Sequence, residues 1–186
     1  MTKWEILGSE YVFSTKWFKI RKDRVKLPDG QIYDEYYVKE RRDWAAVFCL
    51  TDDDRIILTK TYKHGSQKII YELPSGSIED NETPAEGIIR EIREEIGYHV
   101  DINGLKKIGV VLVDPTYVQA RLHIFFSRDV KKVYTPEDNP LEIFEICLVN
   151  KADIRNLIWN NLESFPESQV ACILLALDYM ERSDKQ

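Results

Sequence analysis

Three carboxylates, Glu91, Glu94 and Glu95, fall within five residues of this chain, directly after Arg90. On a helix of about 3.6 residues per turn, Glu91 and Glu95 stack one turn apart and Glu94 lies at i+3 from Glu91. The spacing therefore predicts all three acids on one exposed face. Arg90 stands one turn before Glu94 and can hold that side chain by an ion pair. Like charges this close repel unless something positive lies between them, and a hard divalent cation such as Mg²⁺ prefers carboxylate oxygens. Taken alone, such a run more often marks a solvated acidic face. Its surroundings decide between the two readings.

Those surroundings have the parts needed to position the acids. Thr83-Pro84-Ala85-Glu86 predicts a helix start, with Thr83 as N-cap, Pro84 at the first helical position and Glu86 closing a capping box. Ile88, Ile89, Ile92 and Ile96 form an apolar stripe on the side away from the acids. Gly97 is placed to end the helix in a left-handed conformation, and Gly76 allows a tight turn before it. The stretch from Gly76 to Tyr98 thus reads as loop, helix, loop.

The rest of the chain supplies a scaffold. A length of 186 residues suits one ordinary domain with a small extra module, and 44% hydrophobic with 31% charged residues is a globular composition. The first twenty residues lack a continuous apolar stretch, so no signal peptide is expected, and no apolar run is long enough to span a membrane. Cys49, Cys147 and Cys172 sit in scattered apolar segments, which predicts free core thiols in a reducing cytoplasm. A net charge of −6 argues against a broad nucleic-acid surface, though bound metal can invert the local field around a phosphorylated small molecule.

Residues 1–40 are rich in aromatic and β-branched residues, and Pro28-Asp29-Gly30 is a turn signal between two extended runs, 17–27 and 31–40. They predict a small antiparallel sheet, residues 1–41, too thin to be stable without packing on something. Residues 42–186 form the second part. It opens with a hairpin from two apolar runs, Ala45–Leu50 and Ile56–Tyr62, around the solvated turn Asp52-Asp53-Asp54. Short strands follow around 69–73, 105–113, 122–128 and 143–149, with a loop at 114–120 and a polar loop at 131–140. Two helices close the chain, at 152–159 and about 167–182, the latter with Val170, Ile173, Leu174, Leu177 and Met180 at helical spacing. This order predicts an α/β fold, a mixed sheet between helices in an α/β/α sandwich, preceded by the small antiparallel sheet.

The box itself fits one pattern: Gly76, five residues, Glu82, seven residues, Arg90-Glu91, an apolar residue, any residue, Glu94-Glu95, any residue, Gly97, an apolar residue. It resembles the box of the Nudix hydrolases, which cleave nucleoside diphosphates linked to another moiety. Tyr98 departs from the aliphatic residue usual at the last position. The resemblance runs from Trp44 to about Tyr179. The N-terminal sheet, Glu72-Leu73-Pro74-Ser75-Gly76 and Asp114-Pro115 are similar to the ADP-ribose pyrophosphatase branch, with Ser75 where Ala is usual.

The resemblance implies Mg²⁺-dependent hydrolysis of the diphosphate bond of ADP-ribose or a related nucleoside diphosphate sugar, with Mn²⁺ as an alternative metal. It implies Glu91 and Glu95 as direct metal ligands, Glu94 as a third, directly or through water, and the Ser75 carbonyl completing the shell. Arg90 positions Glu94. Glu82 acts at the helix start or reaches a metal. The general base comes from the loop before the last strand, where Glu142 matches best and Glu137 and Asp138 are alternatives. Trp17 is the expected stacking aromatic for a nucleobase, with Tyr33 or Tyr36 on the paired strand facing it. Lys63 stands where the branch has Arg and offers a point charge rather than a fork. His64 and His123 read as ordinary hydrogen-bonded residues. The branch implies a homodimer through the N-terminal sheet, with no nucleic-acid or membrane partner. The competing class is a Nudix-fold module that senses ADP-ribose without cutting it; such modules lose box acids, and this chain keeps Glu91, Glu94 and Glu95.

Overall fold

The structure, a computed structural model, describes residues 2–128, 130–136 and 143–183. In chain order the strands are β1 (Glu5–Ser14), β2 (Lys19–Lys26), β3 (Ile32–Glu40), β4 (Trp44–Cys49), β5 (Arg55–Lys63), β6 (Lys68–Glu72) and β7 (Ser75–Ser77). Helix α1 (Pro84–Glu91) follows, then β8 (Tyr98–Val100), β9 (Lys106–Leu112), β10 (Val118–Gln119), β11 (Arg121–Ser127), β12 (Val130–Lys132) and β13 (Glu145–Asn150). Helices α2 (Ile154–Asn160) and α3 (Glu167–Ser183) close the chain. Two compact units result. The first takes the chain up to Asp43 together with Leu112–Arg121; the second takes Trp44–Val111 and the chain from Leu122 onward.

The first unit is a sheet in the order β1-β2-β3-β10. Its β2–β3 hairpin turns at Pro28-Asp29-Gly30 as the sequence predicts: the Gly30 N–H donates to the Leu27 carbonyl, and the Leu27 N–H to that of Gln31. Two features were not legible. Strand β10 arises inside the expected loop 114–120 and pairs with β3 in parallel, with the Lys39 N–H donating to the Tyr117 carbonyl. An ionic network also crosses the sheet. Arg21 forks onto buried Asp23 at 2.8 and 2.9 Å and also reaches Glu40 and Gln119. Ser9 donates to Asp23 and Tyr11 to Glu40, so all four strands are tied together. The Arg21 guanidinium holds the Asp23 carboxyl below its usual range. The apolar core of this unit is slight, and β1 is exposed along its whole length, including Ile6, Tyr11, Val12 and Phe13.

The second unit contains the mixed sheet β7-β4-β11-β9, in which β11 runs parallel and β7 antiparallel to β4. Strand β4 is apolar throughout and buried on both faces, the pattern of a central strand covered on two sides. Ala45, Val47 and Cys49 share a core with Ile88, Ile92 and Ile96 of the box. On the other side Phe48 stacks on Phe126, and Phe126 meets Tyr179 of α3. The sheet thus lies between α1 and α3, the predicted α/β/α arrangement.

The predicted hairpin of β4 and β5 is corrected. The two strands share only the bridge Leu50↔Ile56 around Asp52-Asp53-Asp54, then diverge into different sheets. Strand β4 is flanked by β7 and β11, and β5 by β13 and β6, in the separate sheet β13-β5-β6. Both strands are buried on two faces, so each needs two neighbours, and sequence adjacency yields to that demand. The stripe of α3 also differs from expectation. It comprises Gln169, Cys172, Ile173, Ala176, Leu177 and Met180, while Leu174 is exposed. Cys49 and Cys172 are buried and Cys147 is half-buried, and all three are free thiols. Among the described residues no helix is long and apolar enough to cross a membrane.

Candidate active site

The box helix starts as its sequence dictates. The Thr83 hydroxyl accepts from the Glu86 N–H, and the Glu86 carboxylate accepts from the Thr83 N–H, a complete capping box with Pro84 in the first turn. Such a cap contributes about 1 kcal/mol. Gly97 ends the segment in the left-handed conformation, φ +70°. A side chain there would be strained and would meet the Tyr134 carbonyl oxygen at 2.2 Å.

Between these ends the helix is not uniform. Residues Ile92–Ile96 form a wider π-type turn. Such bulges are rare and recur at functional sites. Here the wider turn carries Glu94 and Glu95. Glu91 and Glu94 go to Arg90, whereas Glu95 turns toward the chain before the box and accepts from the Ser75 N–H at 3.1 Å. The acids are half-buried rather than exposed as expected, with Glu91 lying against Gly76 and Glu95 on the adjacent Ser75 N–H.

Arg90 is the centre of the first group. Its guanidinium donates to Glu82 at 2.8 and 3.2 Å, to Glu91 at 2.9 Å, to Glu94 at 3.0 Å and to the Ser77 carbonyl at 3.0 Å. Glu82 also accepts from the Glu79 N–H. Glu82 thus bonds the loop at the helix start and Arg90. Gly76 makes room for the cluster. A Cβ at that position would lie 1.9 Å from Cδ of Glu91. The requirement at Gly76 is space for a carboxylate, rather than the tight turn expected.

Glu95 is electrostatically exposed to its own neighbours. Its carboxylate is set into the protein, and burial pushes its pKa well above the usual range. The charge of Glu91 and, less strongly, that of Glu72 push the same way, opposed by the Ser75 N–H and by Lys63. Lys63 is not a free cation: its ammonium pairs with Glu72 at 2.8 Å. The donor set here is all hard oxygen, which suits a divalent cation. Among the described residues no three acid, histidine or cysteine groups converge on a common point. Arg90 draws two acids onto itself, and Glu95 is left with more negative charge around it than positive, so a cation fits there.

The aromatic candidates lie in the first unit. Trp17 sits in the turn before β2, largely exposed, with the Lys16 ammonium 4.4 Å from its ring centre. Tyr36 donates to the Thr116 carbonyl at 2.6 Å and packs edge-on against Trp4. Tyr33 is exposed and pairs with Val25. Tyr36 pairs with Asp23, and between these pairs two residues of β3, Asp34 and Glu35, oppose Arg24 of β2, a bulge that returns Tyr33 and Tyr36 to one face. From Lys19, where β2 begins, Val25 is six residues on, about 20 Å along the strand. One chain therefore does not bring Trp17 and Tyr33 together. Glu142, Glu137 and Asp138 lie outside the described residues.

Three participants were not singled out from the sequence: Glu72, which takes Lys63; the Ser77 carbonyl, which takes Arg90; and Gln169, which accepts from the Leu73 N–H just before the box. Gln169 alone left a readable signal, a polar residue one turn before Ile173 on the buried stripe of α3.

Comparison with known proteins places the chain in a family. Residues 4–38 match the nucleoside diphosphate sugar hydrolase N-terminal domain, and residues 40–168 match the NUDIX domain. An ADP-ribose pyrophosphatase of Bacillus subtilis is 29% identical over 146 residues, covering 76% of this chain and 77% of that protein. A methanol dehydrogenase activator of Bacillus methanolicus is 26% identical over 146 residues, with 76% and 77% covered. A crystal structure of an ADP compounds hydrolase superposes with a TM-score of 0.81 at 21% identity, covering 98% of this chain and 97% of that one. With the NUDIX domain spanning most of its length and the box acids gathered around Arg90, the chain belongs to the Nudix hydrolase family.

Proposed function

We propose that this protein hydrolyses the diphosphate bond of ADP-ribose or a related nucleoside diphosphate sugar, giving a nucleoside monophosphate and a sugar phosphate. The observation that carries the reading is the intact acid set of the box, Glu91 and Glu94 on Arg90 and Glu95 on the Ser75 N–H. Two similar proteins point the same way, an ADP-ribose pyrophosphatase and an ADP compounds hydrolase. An intact acid set also disfavours a sensing module without catalysis.

Nudix hydrolases generally use divalent metal ions; we propose Mg²⁺, with Mn²⁺ able to replace it. Glu91, Glu95 and the Ser75 carbonyl would hold the ion, with Glu94 a further ligand directly or through water. Once bound, it neutralises the phosphate oxygens that repel a nucleophile and lowers the pKa of a water. The chain does the rest. Arg90 fixes Glu91 and Glu94 in place. A base, assigned to Glu142, takes the proton of the attacking water, worth about 10²–10⁴-fold. The water oxygen bonds to one phosphorus while the bridging P–O bond breaks, so ADP-ribose leaves as AMP and ribose 5-phosphate. Lys63, paired with Glu72, is assigned to a substrate phosphate or ribose.

Trp17, Tyr33 and Tyr36 are assigned to the base. Their placement within the sheet supports a dimeric site, because residues about 20 Å apart on one ladder can flank one base only if a second copy brings them together. The exposed β1 with its apolar side chains supports a homodimer through this module, residues 1–41, attached to the hydrolase domain, residues 42–186. Three free thiols support a reducing, cytoplasmic setting.

Four tests follow from this reading. Incubation with Mg²⁺ and a panel of ADP-ribose, ADP-glucose, GDP-mannose, NADH and diadenosine polyphosphates should release phosphomonoester most rapidly from ADP-ribose. Binding of ADP-ribose without any release would favour a sensor. Light scattering of the full chain should report a dimer; a monomer contradicts the shared base site.

Gly76→Ala forces the Glu91 carboxylate aside, because only the flexible end of a side chain stands in the way of the new Cβ. Turnover should fall about 10–100-fold with little change in melting temperature. Unchanged turnover would remove Glu91 from the site.

Glu95→Gln separates stability from activity. Without metal, the raised Glu95 pKa means that the folded chain holds this proton more tightly than the unfolded one. Stability is then lost as pH rises from the ordinary carboxylate range through the folded pKa. The metal-free variant should therefore melt higher than the native chain at about pH 7.5, and the gap should close toward about pH 4. Its metal-dependent turnover should fall at least about 100-fold. A variant as active as the native chain sinks the ligand assignment.

A further inference from the structure

Gln169, the third residue of α3, is 2% exposed. A buried primary amide has an acceptor and two donors to satisfy. Its Oε1 accepts from the Leu73 N–H at 3.0 Å, and its Nε2 lies 3.5 Å from the Ser75 hydroxyl, the outer limit of a hydrogen bond. Leu73 and Ser75 are not ordinary neighbours for a distant helix. They belong to the short strap between β6 and β7 that leads into the Nudix box.

The strap has few backbone bonds of its own. Leu73 is fully buried and lies between the two strands, so its N–H needs a partner from elsewhere. Pro74 has no N–H, and its carbonyl accepts from Val47 of β4 at 3.1 Å. The Ser75 N–H holds Glu95. The strap is thus fastened at three consecutive residues to three different elements: α3, β4 and the box. Ninety-six residues separate Leu73 from Gln169, which falls one residue beyond the part of the chain matched to the NUDIX domain.

We propose that Gln169 is a positioning residue for the metal-binding half of the site. By fixing Leu73 and Ser75, it sets where the Ser75 N–H places the Glu95 carboxylate and where the Ser75 carbonyl lies beside it. The inference rests on the reading of Glu95 and Ser75 as metal ligands. Groups that orient metal ligands from behind typically change metal affinity by about 10–100-fold when removed, and a loosely supported ligand pair loses geometry before it loses fold. A purely structural Gln169 would do something else: its loss would lower melting temperature and leave metal affinity alone.

Gln169→Met keeps the length and volume of the side chain and removes both polar groups. Ile173→Ala opens a cavity one turn further along the same buried stripe while keeping both polar groups of Gln169, and serves as the stability control. The readout is Mn²⁺ binding to each full-length protein, followed by the spin-resonance signal of the free ion, with metal titrations of ADP-ribose turnover beside it. Gln169→Met should weaken Mn²⁺ binding about 10–100-fold and raise the metal concentration for half-maximal turnover in parallel, with KM for ADP-ribose at saturating metal unchanged. Ile173→Ala should melt lower with native Mn²⁺ affinity. If the Met variant does not fold, Gln169→Asn, which draws the same amide back by one methylene, is measured for the same weakening. Mn²⁺ affinity within twofold of native in the folded variant overturns the proposal. A native chain that binds Mn²⁺ but cleaves no diphosphate refutes the functional reading instead, and the Mn²⁺ comparison still decides the role of Gln169.

Discussion

The site depends on one cation, Arg90, placed among acids that would otherwise repel. Its guanidinium has five hydrogen bonds to spend, and all go to the box and the loop before it: Glu82, Glu91, Glu94 and the Ser77 carbonyl. A lysine could not do this, because a compact ammonium lacks the planar fork that reaches several acceptors at once. The pairs are half-buried, so they are screened less than surface ion pairs and hold their geometry better. Arg90 links the helix to strand β7 and to the Glu79–Glu82 turn. The same bonds hold Glu91 over Gly76, where nothing larger than hydrogen fits.

Much of this was legible because it is local. Thr83, Pro84, Glu86 and Gly97 act on residues within one turn, and each behaves as its chemistry dictates. The Ile88, Ile92 and Ile96 stripe follows from periodicity and packs against alternate residues of β4. The fold class followed from the order of apolar runs. What escaped was non-local. The run 45–50 and the run 56–62 look like a hairpin, but pairing in a sheet is decided by partners far along the chain, and β11 and β13 win that competition. The pairing of Lys63 with Glu72 and of Gln169 with Leu73 likewise needed the folded chain. The π-type turn escaped for a different reason. Glu91, Glu94 and Glu95 satisfy a regular helix equally well on paper, and Ile92 and Ile96 are buried at a spacing that either turn accommodates.

The two units differ in how complete they are. The second has a core on both faces of its central sheet. The first has Asp23 and Val25 buried, an ionic network in place of an apolar interior, and a first strand exposed from end to end. Arg21, Asp23 and Glu40 fix the register of that sheet through directional bonds, which specify geometry without burying much area. A thin sheet with ordered strands and exposed aromatics suits recognition better than self-sufficient stability. The box acids lie in the second unit, and the exposed aromatic faces of Trp17 and Tyr33 lie in the first.

Glu95 shows how such a site sets stability against function. In the metal-free chain its carboxylate is desolvated and faces Glu91 and Glu72, with one N–H and a lysine already paired elsewhere to offset them. A protein selected for stability alone would place an amide or an apolar residue there. That negative field costs folding free energy in the metal-free chain, and a cation bound beside Glu95 would offset both the repulsion and the burial. The strain is bearable because the surrounding structure over-determines the position. The left-handed glycine at one end, the capping box at the other, the isoleucines beneath and the strap from Leu73 to Ser75 leave the Glu95 backbone nowhere else to go. A carboxylate that could relax into solvent would escape the burial and the neighbouring charge that raise its pKa.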